Sequence, residues 1–275
     1  MAGTLYLVGT PIGNLGDISA RALETLAAAD FIAAEDTRVS IKLLNHYGIK
    51  KPLVSYYEHN REESGAKILS RLIAGETCAL VTDAGMPAIS DPGEALVALC
   101  AEAGIETLVI PGACAAVSAL ALSALPTGRF TFEGFLSVSR KSRAEHLQSL
   151  KSETRTMIFY EAPHKLVRTL TDMLEAFGDR RVSLSRELTK LHEETFRTTL
   201  SGALARYGAS ETAPRGEFVL VLEGAEVRDE EVTLETAIAI ARGYIAGGMS
   251  ARDAVRAAAE ETGFPKNELY NALRD

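Results

Sequence analysis

Short apolar runs alternate with segments of helical periodicity through the first 125 residues of the chain. The apolar runs, which we interpret as strands, lie at 4–8, 31–34, 53–56, 77–82 and 107–110. Between them, apolar residues recur at the three- and four-residue spacing of helices with one buried face. This alternation is typical of an α/β fold with a mostly parallel sheet and helices on both faces.

The alternation stops at Pro126-Thr127-Gly128, where we place a domain boundary. Strand patterns follow at 130–135, 156–160, 181–186 and 217–222, and helical patterns near 140–150, 163–176 and 200–207. Because these strands do not alternate regularly with helices, some of them need not be parallel. We therefore predict an N-terminal α/β domain over residues 1–125 and a second α/β domain over 126–228.

Residues 229–275 carry helical patterns and no strand pattern, which predicts a small helical extension. One helix is expected over 234–245, a second from Ser250 to about Gly263, and a last one from Pro265. Two short helices joined near Gly263 are compatible with a helix-turn-helix and also with a packing segment. The low basic charge of the extension favours the packing role.

Composition narrows the class of protein. The 275 residues are 47% hydrophobic, which suits two globular domains. A formal net charge of −8 argues against broad affinity for nucleic acid but allows a local basic patch. Three widely spaced cysteines and five scattered histidines lack the spacing of metal ligands, so we predict no metal site and a reducing, cytoplasmic location.

The longest apolar stretch, residues 113–125, is rich in alanine. It is too short to span a bilayer, so we predict a buried helix there. No signal peptide is visible at the N-terminus, and we expect no association with a membrane.

The loop Asp83-Ala84-Gly85-Met86-Pro87 follows the apolar strand at 77–82 and precedes a helix predicted over 92–103. Asp91 is expected to cap that helix, with Pro92 in the first turn and Glu94 completing a capping box. In α/β sheets, ligands bind beyond the carboxyl ends of strands. An ordinary connection between strand and helix is the simpler interpretation of one such loop, but the chain contains more than one.

Two further strand ends carry unusual loops, at 9–15 and at 111–113. The first lacks the G-x-G-x-x-G pattern of dinucleotide-binding proteins and the Gly-Lys-Ser/Thr of phosphate-binding loops. Three such loops at one edge of a parallel sheet predict a small-molecule site that is neither of these nucleotide sites.

Charged residues also follow two strands of the second domain. Glu161 and His164 come after the strand at 156–160, and Glu187 and Lys190 come after the strand at 181–186. Helix capping and solvated ion pairs are the simpler roles for such residues. A catalytic role requires that they face the predicted site.

The most basic local run is Ser139-Arg140-Lys141-Ser142-Arg143. A solvated helix face accounts for it equally simply. The functional alternative is a patch that contacts phosphates through Arg140, Lys141 and Arg143.

Taken in order, these motifs resemble the bacterial family of small-subunit ribosomal RNA methyltransferases that act on a cytidine ribose 2′-oxygen. That family belongs to the tetrapyrrole-methylase superfamily. The resemblance covers nearly the whole chain and rests on residues 10–15, 34–38, 59–60, 82–85, 87, 91–93, 111–112, 114–116, 133–136, 159–161, 164, 186–190, 216–217, 266–267 and 269–270. Two positions depart from the family pattern: Met86 stands where threonine is common, and Ala113 stands where proline is common.

The resemblance implies two α/β domains of the tetrapyrrole-methylase type with a cofactor cleft between them, and S-adenosylmethionine as the methyl donor. It also implies a homodimer that acts on 16S ribosomal RNA in the small ribosomal subunit. The donor is then expected to contact residues of three loops and of the second domain: Pro11, Asp83, Ala84, Gly85, Met86, Pro87, Pro111, Gly112, Ala113, Ala115, Tyr160, Leu188 and Pro214.

The residues leave the proton acceptor undecided, because a ribose hydroxyl is a poor nucleophile that several groups could assist. Glu161, Lys190 and Glu35 are the preferred catalytic candidates, and Asp36 and Glu187 remain open. Two other functions also stay open. One is a methyltransferase for porphyrin or corrin precursors, and the other is a binding factor without catalysis.

Overall fold

The computed structural model describes residues 2–90, 92–209, 214–226 and 233–273. The chain forms two compact units that divide at residue 225/226. Asp91, the predicted helix cap, lies outside the described residues. The predicted boundary at 125/126 falls inside the first unit and remains a prediction.

The first sheet contains five parallel strands in the order β3-β2-β4-β1-β5. Its strands are β1 (Thr4–Val8), β2 (Phe31–Ala34), β3 (Leu53–Ser55), β4 (Cys78–Val81) and β5 (Glu106–Ile110). The connecting helices are α1 (Ala20–Ala28), α2 (Thr37–His46), α3 (Arg61–Ile73) and α4 (Glu94–Glu102). Since all five strands run in one direction, the loops after β1, β2, β4 and β5 meet at one edge.

The central strands β2 and β4 are buried on both faces, as expected within a parallel sheet. Leu5, Phe31 and Leu80 pack on one face with α3 and α4, and Val8 and Ile32 pack on the other with α1 and α2. Ser19 caps α1 by accepting the Ala22 N–H. The buried apolar strands therefore hold the loops after β1, β2, β4 and β5 in fixed positions.

Helix α4 begins two residues later than the sequence predicted. Its N-cap is Gly93, whose φ of 147° lies in the region that favours glycine, and the cap position offers no side-chain hydrogen bond. The predicted helix start at Pro92 is therefore wrong. The glycine turn ends the preceding loop, and the helix starts at Glu94.

The second sheet is mixed and follows the order β6-β7-β10-β8-β9. Strands β6 (Phe130–Phe135) and β7 (Thr156–Glu161) pair in parallel, whereas β8 (Arg181–Arg186), β9 (Glu194–Thr199) and β10 (Phe218–Leu222) pair antiparallel. Its helices are α6 (Arg140–Ser149), α7 (Leu166–Phe177) and α8 (Leu200–Gly208). Strand β9 was not predicted from the sequence, because it is an edge strand made mostly of charged and polar residues.

The alanine-rich helix α5 (Ala115–Leu122) follows β5 but packs on the second sheet. Ala116, Ala119 and Leu120 bury one face against Ile158 and Val219. The opposite face is exposed, so the prediction of a buried helix holds for one face of α5 only. Small residues let α5 approach the sheet closely, and this brings its N-terminus to the site edge.

The second unit contains α9 (Leu234–Ala246), α10 (Ala251–Thr262) and α11 (Lys266–Ala272). Its core is built mainly from alanines, with Val255 and Leu269. Ser250 caps α10, and Gly263 ends it in the left-handed conformation with a φ of 73°. No helix in the described part of the chain is long and apolar enough to cross a membrane.

Candidate functional site

A cavity of about 570 Å³, which we call the donor cavity, opens at the carboxyl edge of the first sheet. One wall comes from the loops after β2, β4 and β5, and the other from strand ends of the second sheet. The cavity lies entirely within the first unit. Of the predicted site residues, ten line it: Glu35, Asp83, Ala84, Gly85, Met86, Ala115, Tyr160, Glu161, Leu188 and Lys190.

The loop after β4 is tied to the loop after β1. Thr10 N–H donates to the Gly85 carbonyl at 2.9 Å, and Gly85 N–H donates to the Thr10 carbonyl at 3.1 Å. Gly85 adopts a φ of 89°, which favours glycine at this position. The two loops therefore form one rigid backbone surface beneath the cavity.

The loops after β1 and β5 touch through two glycines. A Cβ built on Gly9 would lie 2.7 Å from Gly112 Cα, and a Cβ built on Gly112 would lie 2.8 Å from Gly9 Cα. The Gly9 position would also place a Cβ 2.7 Å from Met86 Sδ. Only hydrogen fits at either position, so this contact fixes how closely the loops after β1 and β5 approach each other.

Six predicted donor-binding residues do not line the donor cavity. Pro11 lines a smaller neighbouring cavity. The others are Pro87, Pro111, Gly112, Ala113 and Pro214. Gly112 contributes to the site through its contact with Gly9, as described above.

Tyr160 and Leu188 form the wall that belongs to the second sheet. The Tyr160 hydroxyl accepts the Ala116 N–H at 3.1 Å, which joins β7 to the start of α5. Its ring meets Phe132 and Phe135 edge-on, with ring centroids 5.0 and 5.5 Å away. Leu188 is 7% exposed, so the wall is firm and largely apolar.

The residues on either side of Leu188 have unusual backbone geometry. Glu187 and Thr189 adopt φ values of 52° and 67°, which are costly for residues other than glycine. A Cβ built on Gly216 would lie 2.3 Å from the Glu187 side chain, so the opposing chain passes close by. Strained backbone of this kind concentrates at functional sites.

Lys190 is fixed by two carboxylates. Its amine donates to Glu187 Oε1 at 2.8 Å and to Glu217 Oε2 at 3.0 Å. Burial lowers the pKa of Lys190, but these two hydrogen bonds outweigh burial and raise the pKa above its ordinary value. The amine therefore stays charged at neutral pH. This state suits electrostatic positioning and does not suit proton removal.

Glu161 is 4% exposed, and each of its carboxylate oxygens accepts one hydrogen bond. Its Oε2 accepts the Thr169 hydroxyl at 2.5 Å, and its Oε1 accepts the Ala162 N–H at 2.8 Å. These bonds hold the start of α7 against the end of β7. These hydrogen bonds give Glu161 a structural role, and its catalytic role stays a prediction.

Three carboxylates meet at the ends of β2 and β4. Glu35 Oε2 accepts the Thr82 hydroxyl at 2.7 Å and the Asp83 N–H at 3.4 Å. Asp83 Oδ1 accepts the Asp36 N–H at 3.1 Å. Asp36 caps α2 and binds Arg38, and the hydrogen bonds from Arg38 lower the pKa of Asp36 to about 2.

The acidic pair Glu35 and Asp83 was missed as a pair by the sequence analysis. The two residues lie far apart in the chain, and their contact depends on β2 and β4 being neighbours in the sheet. Strand order is not encoded in local patterns. The matching positions just beyond two apolar strands were the available signal.

The predicted basic patch is partly wrong. Arg140 and Lys141 are exposed, but Arg143 is 5% exposed. Arg143 Nε donates to Asp172 at 2.6 Å, and its Nη1 donates to the Ser137 carbonyl at 3.1 Å. Position 143 falls on the inner face of α6, so its guanidinium anchors the helix and does not reach phosphates.

The described residues hold no group of three or more histidine, cysteine, aspartate or glutamate side chains that could bind a metal ion.

Burial raises the pKa of Cys78 to about 12, so this thiol stays protonated at neutral pH.

Two protein-family models match the chain and show which family it belongs to. Residues 4–204 match the model of the Tetrapyrrole (Corrin/Porphyrin) Methylases. The chain belongs to this methylase family. Residues 242–274 match a second model, described as the RsmI C-terminal HTH domain. The predicted family and fold class are thereby confirmed.

Relatives of this methylase extend over its whole length. A protein of Synechocystis named Ribosomal RNA small subunit methyltransferase I is 50% identical over 273 residues, covering 98% of this chain and 96% of the relative. A Bacillus subtilis protein of the same name is 46% identical over 275 residues, covering 98% and 94%.

Solved structures share the fold at much lower identity. Diphthine synthase matches with a TM-score of 0.60 and 16% identity, covering 80% of this chain and 90% of that one. Uroporphyrin-III-C-methyltransferase from Thermus thermophilus matches with a TM-score of 0.55 and 21% identity, covering 80% and 94%. At these identities the likeness shows the fold alone.

Proposed function

We propose that this methylase transfers a methyl group from S-adenosylmethionine to the 2′-hydroxyl of a cytidine ribose in 16S ribosomal RNA of the small subunit. The observation that carries the proposal is the 50% identity to a ribosomal RNA small subunit methyltransferase over 98% of the chain. A ribosomal substrate also favours a cytoplasmic location.

The donor cavity fits S-adenosylmethionine in size and chemistry. A volume of about 570 Å³ lies within the usual range for small-molecule sites. The N–H groups of Asp83 and Gly85 bind Glu35 and Thr10, so those of Ala84 and Met86 are the ones that suit a carboxylate. The apolar wall of Tyr160 and Leu188 suits an adenine. When bound, the donor supplies an activated methyl group on a sulfonium.

The chain's own residues then orient the two reactants and handle one proton. Met86 and Ala115 shape the donor side of the cavity. The ammonium of Lys190 holds Glu187 and Glu217 in place at the cavity wall. Because the leaving group is already activated, positioning supplies much of the acceleration and a base supplies the rest.

An edge of the first sheet offers a surface for the proposed homodimer. Strand β5 lies at this edge, and its Leu108 and Val109 are 42% and 52% exposed. Val117 on the outer face of α5 is 53% exposed. Exposed apolar residues on an unpaired edge support self-association.

The basic patch, now defined as Arg140 and Lys141, should contribute to subunit binding through phosphates. Replacing both by glutamine should weaken binding to small subunits about tenfold at moderate salt. The slope of log affinity against log salt should fall by roughly 1–2 units. The measurement is filter binding across a salt series.

Arg168→Gln is the matched control for this experiment, since Arg168 is an exposed arginine on α7 outside the patch. Unchanged affinity and unchanged salt slope for the double variant would exclude the patch from the interface.

The acceptor class is tested by transfer of labelled methyl groups from S-adenosylmethionine. The wild-type protein is offered undermethylated small subunits, protein-free 16S ribosomal RNA, or a porphyrin precursor. We expect label in the RNA of the subunits. Label in the porphyrin precursor alone would replace the proposal by the tetrapyrrole alternative, and label in none of the three acceptors would refute the proposed function.

A further inference from the structure

A second cavity adjoins the donor cavity and shares two residues with it. This side cavity has a volume of about 300 Å³, and Thr82 and Asp83 line both spaces. Asp83 lies two residues after the buried strand β4, which fixes the start of the loop. A carboxylate therefore stands where the two cavities meet.

We propose that Asp83 accepts the proton of the ribose hydroxyl and that the side cavity receives the target nucleotide. This inference rests on the proposed function and deepens it. Asp83 was predicted from the sequence to bind the donor, so the proposal gives it a different role.

The lining of the side cavity suits a pyrimidine nucleotide. Pro11, Leu15, Val39 and Leu43 supply apolar surface, against which a flat base can pack. Leu15 and Val39 remain 40% and 38% exposed, so this surface is uncovered in the free protein. Enzymes that modify one nucleotide commonly extrude it into such a pocket.

Polar groups at the side cavity match the rest of a nucleotide. The exposed Lys42 suits a phosphate, and Thr10 and Ser40 add hydroxyl groups to the wall. The volume lies at the lower end of the range for small-molecule sites. The cavity therefore has space for one nucleoside, and the rest of the RNA strand stays outside it.

Hydrogen bonds fix one side of Asp83 and leave the other open. Oδ1 accepts the Asp36 N–H at 3.1 Å, and the Asp83 N–H donates to Glu35 at 3.4 Å. Among the described residues, no hydrogen bond is made to Oδ2. A carboxylate held by one oxygen can aim the other at a substrate proton.

The charges around Asp83 also suit a base. Burial raises the pKa of Asp83, and the negative charges of Glu35 and Asp36 raise it further. The Asp36 N–H and Arg38 oppose the rise without cancelling it. Lys42 faces the side cavity, and Lys190 faces the donor cavity. A raised pKa brings a carboxylate closer to the ideal strength of a base at neutral pH.

The step balances in atoms and charge. The ribose O–H bond breaks, and its proton moves to Asp83 Oδ2. The oxygen forms a bond to the methyl carbon while the S–C bond breaks. The bonding pair stays on sulfur, whose positive charge is lost, and Asp83 later returns its proton to solvent.

Asp83→Asn separates this role from donor binding, since asparagine keeps the shape but not the basicity. We expect kcat on small subunits to fall at least 100-fold. The Kd for S-adenosylmethionine, measured by calorimetry, should change by less than about threefold. Asp17→Asn is the control, because Asp17 is an exposed carboxylate outside both cavities.

Two results would overturn the inference while leaving the proposed function intact. One is an unchanged kcat for Asp83→Asn. The other is a Kd for the donor raised tenfold or more, with full turnover restored at saturating donor. Failure of wild-type protein to methylate subunits would instead refute the proposed function itself.

A second variant keeps the inference testable if Asp83→Asn does not fold. Glu35→Gln removes a like charge beside Asp83 and should therefore lower the pKa of Asp83. Because the base acts when deprotonated, the acid limb of the pH–rate profile should move to lower pH by about half a unit.

Carbon-13 NMR of labelled aspartate supplies a readout that needs no activity. The Asp83 carboxyl should titrate above the ordinary value for aspartate in the free wild-type protein, and Glu35→Gln should lower that midpoint. An ordinary midpoint in the wild type, or no change in Glu35→Gln, would contradict the inference.

Discussion

Replacing Ala115 by phenylalanine should abolish methyl transfer while the protein stays folded. Ala115 is the first residue of α5 and lines the donor cavity beside loop 83–87. A benzyl group there occupies space that the donor needs, whereas the rest of α5 packs through Ala116, Ala119 and Leu120. We expect donor affinity to fall at least 100-fold, which corresponds to about 3 kcal/mol.

Calorimetric titration with S-adenosylmethionine measures this effect directly, and circular dichroism checks the fold. Ala27→Phe on the exposed face of α1 is the matched control, because Ala27 lies outside the cavity lining. Retention of wild-type donor affinity by Ala115→Phe would place the donor elsewhere in the molecule.

Replacing Gly112 by alanine should destabilise the fold and the donor site together. The new methyl group would lie 2.8 Å from backbone atoms of Gly9. Because these are backbone atoms, no side-chain movement can relieve the clash. The loops after β1 and β5 must separate, and such overpacking typically costs about 1–3 kcal/mol. We expect a lower unfolding free energy by about 2 kcal/mol and a weaker affinity for S-adenosylmethionine.

Urea denaturation measures the change in unfolding free energy. Gly128→Ala is the control, since a Cβ at Gly128 meets no atom within 4 Å. Gly9→Ala should be destabilising too, and the double variant should lose less than the sum of the two, because both methyl groups open the same contact. Full additivity would show that the two glycines act independently.

The strands of the first sheet were predictable because each is a short apolar run between turn signals. Burial on both faces removes polar alternation and leaves a continuous pattern, as in Phe31–Ala34 and Cys78–Val81. The edge strand Glu194–Thr199 was missed for the opposite reason. Its threonines and charged residues suit an exposed edge, and they do not form an apolar run.

The site was predictable where it depends on loop position, and less so where it depends on contacts across the fold. Loop 83–87 could be placed because it follows a strand, and Tyr160 because it lies at the end of one. The buried position of Arg143 could not be predicted, because its partner Asp172 lies on the next helix along the chain. The closeness of Glu35 and Asp83 required the strand order, which periodicity does not contain.

The identity of the methylated atom tests the account most directly. Undermethylated small subunits are treated with wild-type protein and labelled S-adenosylmethionine, and the RNA is digested to nucleosides that are separated and identified by mass. We expect label in 2′-O-methylcytidine, and a loss of that product with Ala115→Phe. Label on a cytosine base, on another nucleoside or on no nucleoside would contradict it.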